Sequence, residues 1–209
     1  MRRFLILAHR VPTGGGFTLN DLAGGAGRLD EVARAVSTAF TLSNDLRRDT
    51  ELTVLFVAEP PPRARRIDLA GGRLRFLNPD ERSTAALLKN ALVRSVEFPR
   101  PFESSPGLTV APAEPAQVLR EFLSQPNPLW LSEDGRPIEE WPSPGGHVAA
   151  VVSDPYDPTP EERELLVASG VPRVSVSPRS LRTSQVIDLV HHELDLRDVA
   201  RAAGPTPPA

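Results

Sequence analysis

The chain has 209 residues, 40% of them hydrophobic and 24% charged, with a formal net charge of −3. These proportions are ordinary for a soluble globular protein of one compact domain, and the acidic balance excludes a nucleic-acid footprint spread over the whole surface, so any RNA contact has to use a local basic patch. The absence of cysteine excludes disulfides, thiolate metal sites and a cysteine nucleophile.

Phe4 to Ala8 is a short β-prone run bounded by charge. It is too short for a signal peptide and predicts a buried first strand. No run approaches the ~18 apolar residues of a membrane helix. A glycine-rich loop, Thr13 to Asn20, and a second cluster, Gly24, Gly25 and Gly27, precede a helix predicted over Leu29 to Leu42. There Leu29, Val32, Ala33, Val36, Ala39 and Phe40 recur at helical spacing. The continuous apolar stretch in Glu51 to Ala58 predicts a strand buried on both faces, as in a parallel sheet.

After the prolines at 60–62, the alternation at 65–69 and 73–77 around Gly71-Gly72 predicts a hairpin. Asn78-Pro79-Asp80-Glu81 signals a helix start, and Ala85, Leu88, Ala91 and Leu92 give that helix its core face. Residues 97–107 are proline-rich and predict an irregular loop. Beyond them a strand–helix rhythm returns: strand 108–110, helix 115–124, strand 129–131, strand 147–152, helix 160–169, strand 173–176, and a last helix carrying Leu181, Ile187, Val190 and Leu194. The expectation is one α/β domain over residues 1–203, with a mostly parallel sheet flanked by helices and a disordered tail at 204–209.

Three strings go beyond fold class. Ala26-Gly27-Arg28-Leu29-Asp30 is followed by Leu42-Ser43-Asn44-Asp45-Leu46-Arg47-Arg48-Asp49; then comes Leu77-Asn78-Pro79-Asp80-Glu81-Arg82-Ser83; then Val174-Ser175-Val176-Ser177-Pro178, with His191 and Asp195 behind it. In this order and spacing they resemble the archaeal tRNA pseudouridine-54 N1-methyltransferase family of the SPOUT superfamily, over roughly residues 2–195. The resemblance implies a SPOUT fold with a C-terminal trefoil knot, a homodimer, a cytoplasmic place, tRNA as substrate and S-adenosylmethionine as cofactor, with no metal.

It also implies roles. The cofactor would sit among the loops after the late strands, at Leu131, Ser153, Ser175, Val176, Ser177, Pro178, Leu181 and Val186. Arg28, Arg47, Arg48 and Arg82 would form an RNA-binding face, with Arg63, Arg65, Arg66, Arg73 and Arg75 nearby. Arg28 and Asp30 would serve catalysis, Arg28 by holding a phosphate or base carbonyl, and Asp30 by orienting Arg28 or taking the N1 proton. The plainer alternatives are an acid favoured by the helix dipole at Asp30 and a solvated basic patch at Arg47-Arg48.

Two strings differ from the family's. Where it carries Gly-Asp-His or Ser-Asp-His, this chain has Ser153-Asp154-Pro155, and where it carries a cysteine or serine, this chain has Val186. Pro155 offers no backbone N–H, which predicts weakened cofactor binding. The rival readings are a fold-retaining RNA-binding homologue without activity or with another target, and a small-molecule methyltransferase.

Overall fold

Side chains of the first strand divide between two cores. Phe4, Ile6 and Ala8 join one apolar cluster, while Leu5 and Leu7 join another, as the period of two along a strand requires. The computed structural model describes residues 1–57, 64–98, 100–142 and 146–203. In it the strands are β1 (Arg2–Ala8), β2 (Thr50–Phe56), β3 (Arg65–Ala70), β4 (Phe102–Ser105), β5 (Leu108–Pro112), β6 (Pro128–Pro137), β7 (Val148–Ser153) and β8 (Arg173–Ser175). They form one sheet in the order β4-β5-β3-β2-β1-β7-β6-β8.

The half from β2 to β8 is parallel. Strands β3, β5 and β4 extend it antiparallel. Helices α1 (Leu29–Phe40), α2 (Glu81–Glu97) and α5 (Thr183–Ala203) pack together on one face, and α3 (Pro115–Leu123) and α4 (Pro160–Ala168) on the other. A parallel strand covered on both sides has to be apolar over its covered stretch, as β1 is from Phe4 to Ala8, β2 from Val54 to Phe56 and β7 from Val148 to Val152.

Local signals explain the helix ends. Asp80 caps α2 by accepting from the Ser83 N–H at 2.8 Å. Thr159 and Glu162 form a reciprocal capping box on α4, with Pro160 in its first turn. Helix α1 has no side-chain cap and starts instead from Arg28 at φ 69°.

Three expectations are corrected. Residues 73–77 form no strand; the partners of β3 are β2 and β5, so pairing across the sheet replaces the local hairpin. Residues 102–105 are not irregular but form β4, paired with β5 through the turn at Gly107. Strand β6 does not stop at Leu131. It leaves β8 there and rejoins it at Arg136, and Gly135 allows this because a Cβ would lie 2.4 Å from the Val174 carbonyl carbon. Arg63 and the tail at 204–209 lie outside the described residues.

Candidate active site

Parallel α/β sheets open crevices where strands end and chain connections diverge. Here the irregular middle of β6 and the loops after β7 and β8 converge with the start of α1 around a cavity of about 820 Å³. Leu131, Ser153, Ser175, Val176, Ser177, Leu181 and Val186 all line it. Pro178 does not; it faces solvent just outside. The loop after β8 is shaped by its own hydroxyls: Ser175 Oγ donates to the Ser177 carbonyl at 2.7 Å, and Arg179 N–H donates to Ser177 Oγ at 3.1 Å. Thr183, the first residue of α5, donates to the Ser153 carbonyl at 2.7 Å and ties the β8 loop to the end of β7.

The N-terminal string supplies another wall. Gly27 sits at φ 63°, and a Cβ there would lie 2.0 Å from the Arg10 carbonyl oxygen. Arg28 follows in the same left-handed region, a conformation that costs a non-glycine residue about 1 kcal/mol or more. The turn brings Arg28 and Glu31 to the cavity.

Arg28 donates to Asp30 from Nε at 3.0 Å and from Nη2 at 3.1 Å, and to Glu31 Oε1 at 3.2 Å. Arg34 donates to Asp30 Oδ2 and Glu31 Oε1, each at 2.6 Å, and also meets Glu81. Burial pushes the Asp30 carboxyl up, but the hydrogen bonds from Arg28 and Arg34 outweigh it and hold the group below the usual carboxylate range. Both Asp30 oxygens are therefore engaged. Glu31 differs: its Oε2 is buried with no hydrogen-bond partner among the described residues, and so is Ser153 Oγ. Both residues line the cavity, so two buried polar atoms without partners lie just behind its wall.

Sequence reasoning missed Glu31, because a second acid after Asp30 carries no signal until its burial is known. It also missed His9. This residue directly follows β1, with its side chain only 9% exposed. Its Nδ1 meets Asp154 Oδ1 at 2.9 Å and its Nε2 meets Glu162 Oε2 at 2.8 Å. Burial alone would lower its pKa, but the two carboxylates reverse that and push it up to about 9. The only local hint was the break in the apolar run at His9.

The expected basic face is divided. Arg47 and Arg48 precede β2, whose Thr50 pairs with Arg2 at the start of β1, so they lie at the far end of the sheet from Arg28, about 20 Å along a seven-residue strand. Arg47 makes a two-pronged bond to Asp195, at 3.1 and 2.7 Å. Arg48 donates to the carbonyls of Gly71 and Leu74 and to Asp45. Arg82 donates to the Leu19 carbonyl and the Asn20 side chain. Arginines at the cavity are instead Arg28, Arg163, Arg179 and Arg182. Among the hairpin arginines, Arg66 is held by Asp68 and Arg73 by Glu103.

Comparison with known proteins bears on this site. The family model described as "Putative SAM-dependent RNA methyltransferase" matches residues 1–199. A tRNA (pseudouridine(54)-N(1))-methyltransferase of Methanocella arvoryzae is 39% identical over 197 residues, covering 94% of this chain and 100% of the relative. The protein of the same name from Haloferax volcanii is 39% identical over 203 residues, covering 96% and 100%. Among solved structures, Archaeoglobus fulgidus Nep1 bound to S-adenosylhomocysteine superposes with a TM-score of 0.64 at 15% identity, covering 95% of this chain and 98% of that one; it shares the fold. With near-complete coverage by relatives well above 30% identity, the chain belongs to this RNA methyltransferase family.

Proposed function

We propose that the protein transfers a methyl group from S-adenosylmethionine to N1 of a pseudouridine at position 54, in the T-loop of tRNA. The observation that carries this reading is the cavity between the irregular middle of β6 and the ends of β7 and β8, in a chain that aligns with tRNA (pseudouridine(54)-N(1))-methyltransferases along almost its whole length. The residues fit the cofactor. A volume of about 820 Å³ suits a ligand of that size, and Leu131, Leu181 and Val186 offer an apolar slot for adenine.

The cofactor supplies an electrophilic methyl on a sulfonium. The protein's task is to align the base nitrogen with it, keep water out and accept a proton. Arg28 is placed to meet a carbonyl of the base. Glu31, whose Oε2 has no partner among the described residues, is the carboxylate beside it and would take the N1–H proton as the methyl leaves the sulfonium sulfur and the N1–C bond forms. Asp30, with both oxygens held by arginines, acts by fixing Arg28. Arg179 and Arg182 at the mouth meet RNA phosphates.

The finer architecture belongs to the same reading. A trefoil knot is supported by the family resemblance and by the path from edge strand β8, past the end of β7, to a helix packed on α1. A homodimer is supported by the exposed Leu189, Leu196 and Val199 on α5. No helix among the described residues is long and apolar enough to cross a membrane, and a cytoplasmic place follows from the tRNA substrate.

The test is incubation with tRNA carrying pseudouridine at position 54 and S-adenosylmethionine, followed by nucleoside mass spectrometry. One added methyl, on N1 of pseudouridine, is expected. Unmodified tRNA that nevertheless binds tightly would favour the fold-retaining RNA-binding homologue.

A further inference from the structure

The loop from Ser153 to Pro158 forms one wall of the cavity, with Ser153, Asp154, Pro155, Asp157 and Pro158 all lining it. Pro155 cannot donate a backbone hydrogen bond, so the wall must be held in another way. Beneath it one side chain, His9, reaches both Asp154 and Glu162. His9 Nδ1 lies 2.9 Å from Asp154 Oδ1, and the His9 backbone N–H donates to Asp154 Oδ2 at 2.8 Å. The other ring nitrogen, Nε2, lies 2.8 Å from Glu162 Oε2, the atom that also accepts the Thr159 N–H in the α4 capping box. Asp154 in turn accepts the Tyr156 N–H at 3.0 Å.

We infer that His9 is a positioning residue for cofactor binding: as an imidazolium it donates to both ends of the 154–162 loop at once and so sets the shape of the cavity wall. The inference rests on the proposed cofactor site. A neutral imidazole has a single N–H and one acceptor nitrogen. Facing two carboxylates, it can donate to only one, and its bare nitrogen repels the other. Loss of the ring proton therefore costs either Asp154 or Glu162 its ring hydrogen bond, leaving that carboxylate to backbone N–H groups alone, and the wall loosens.

The groups around the ring are few. Asp154 faces it from the end of β7 and Glu162 from α4. Arg10, next in the chain, stacks over the Tyr156 ring at 3.8 Å. Both carboxylates favour the protonated ring, in line with a pKa of about 9.

The experiment is calorimetric titration of the ligand-stripped full chain with S-adenosylhomocysteine from pH 7 to 9.5, on wild type, Glu162→Gln and His9→Asn, with thermal unfolding as the control for folding. The ligand ionises identically against all three proteins, so ratios between them isolate the clamp. Glu162→Gln replaces a charge-assisted bond with a neutral one, so it should bind several-fold more weakly than wild type at pH 7; its amide can also donate to the neutral ring, so the gap should close as pH rises through 9 and wild type loses the ring proton. His9→Asn should bind about ten-fold more weakly at pH 7, and its gap to wild type should narrow as pH rises through 9. Wild type and Glu162→Gln tracking each other at every pH would overturn the clamp alone. A folded wild type that binds no S-adenosylhomocysteine at any pH would overturn the cofactor site and the clamp with it.

Discussion

Arg2 on β1 donates from Nη1 to Nδ1 of His191 on α5 at 3.1 Å, and the opposite ring nitrogen of His191 donates to the Ala39 carbonyl at 3.1 Å. The neutral tautomer is thereby set, with the proton on Nε2. Burial, together with the positive charges of Arg47 and Arg2, pushes the His191 pKa down to about 3. His9 is shifted the other way, to about 9.

The two histidines act on opposite limbs of the pH–stability curve. Below the unfolded value of ~6.5 the unfolded chain binds a proton that native His191 refuses, so its contribution is complete above pH ~6.5 and is lost as pH falls toward 3. For His9 the native state binds the proton more tightly; its contribution is complete below pH ~6.5 and is lost as pH rises through 9. The melting temperature should therefore decline on both sides of pH ~6.5. His191→Asn should flatten the acid limb and His9→Asn the alkaline one. An unchanged acid limb in His191→Asn would remove His191 as its cause.

Arg47 is occupied by Asp195 and lies at the far end of the sheet from the cavity, so its charge should matter for stability and not for RNA. Arg47→Glu sets two carboxylates against each other and should lower the melting temperature while leaving tRNA affinity unchanged. Arg179→Glu should do the reverse. Each lost phosphate contact should flatten the slope of log affinity against log salt by ~0.9. Filter binding across a salt series decides it, and weakened binding by Arg47→Glu at unchanged stability would restore the divided basic face.

Val186 is half-buried at the cavity. Val186→Asp should weaken S-adenosylhomocysteine binding by about ten- to a hundred-fold, since a carboxylate there must be desolvated without a partner. Melting should change little. Equal affinities of variant and wild type would place the adenine elsewhere.

Glu31 and Asp30 are neighbours with different duties. Glu31→Gln keeps the shape and loses the proton acceptor, so the single-turnover methyl-transfer rate should fall by about 100-fold or more, with S-adenosylhomocysteine affinity nearly unchanged. Asp30→Asn breaks a buried ion pair with two arginines and should cost about 3 kcal/mol in denaturant unfolding. A full transfer rate in Glu31→Gln would return the proton-accepting role to another group.

How much of this was legible beforehand depends on how local each cause is. Period-two and period-3.6 patterns placed β1, β2, β7 and α1, because burial on both faces of a parallel strand or on one stripe of a helix is written in residue order. The Asn78-Pro79-Asp80 start of α2 was equally local. Strand β4 was hidden in a proline-rich stretch because its pairing with β5 is a tertiary hydrogen-bond ladder that overrides weak propensity.

At the site, the sequence by itself determined part of the cavity: the resemblance named Leu131, Ser153, Ser175, Val176, Ser177, Pro178, Leu181 and Val186 from separate stretches of chain, and all but Pro178 line it. Only the tertiary structure decided which charges are free to act. Arg47 and Arg48 look like Arg28 in one dimension, yet Asp195, 148 residues away from Arg47, claims one of them. Likewise Asp154 and Glu162 meet His9 across separations of 145 and 153 residues. A charged side chain's role is set by its partners and by how far it is removed from water, and for these residues both come from chain segments that the linear sequence keeps apart.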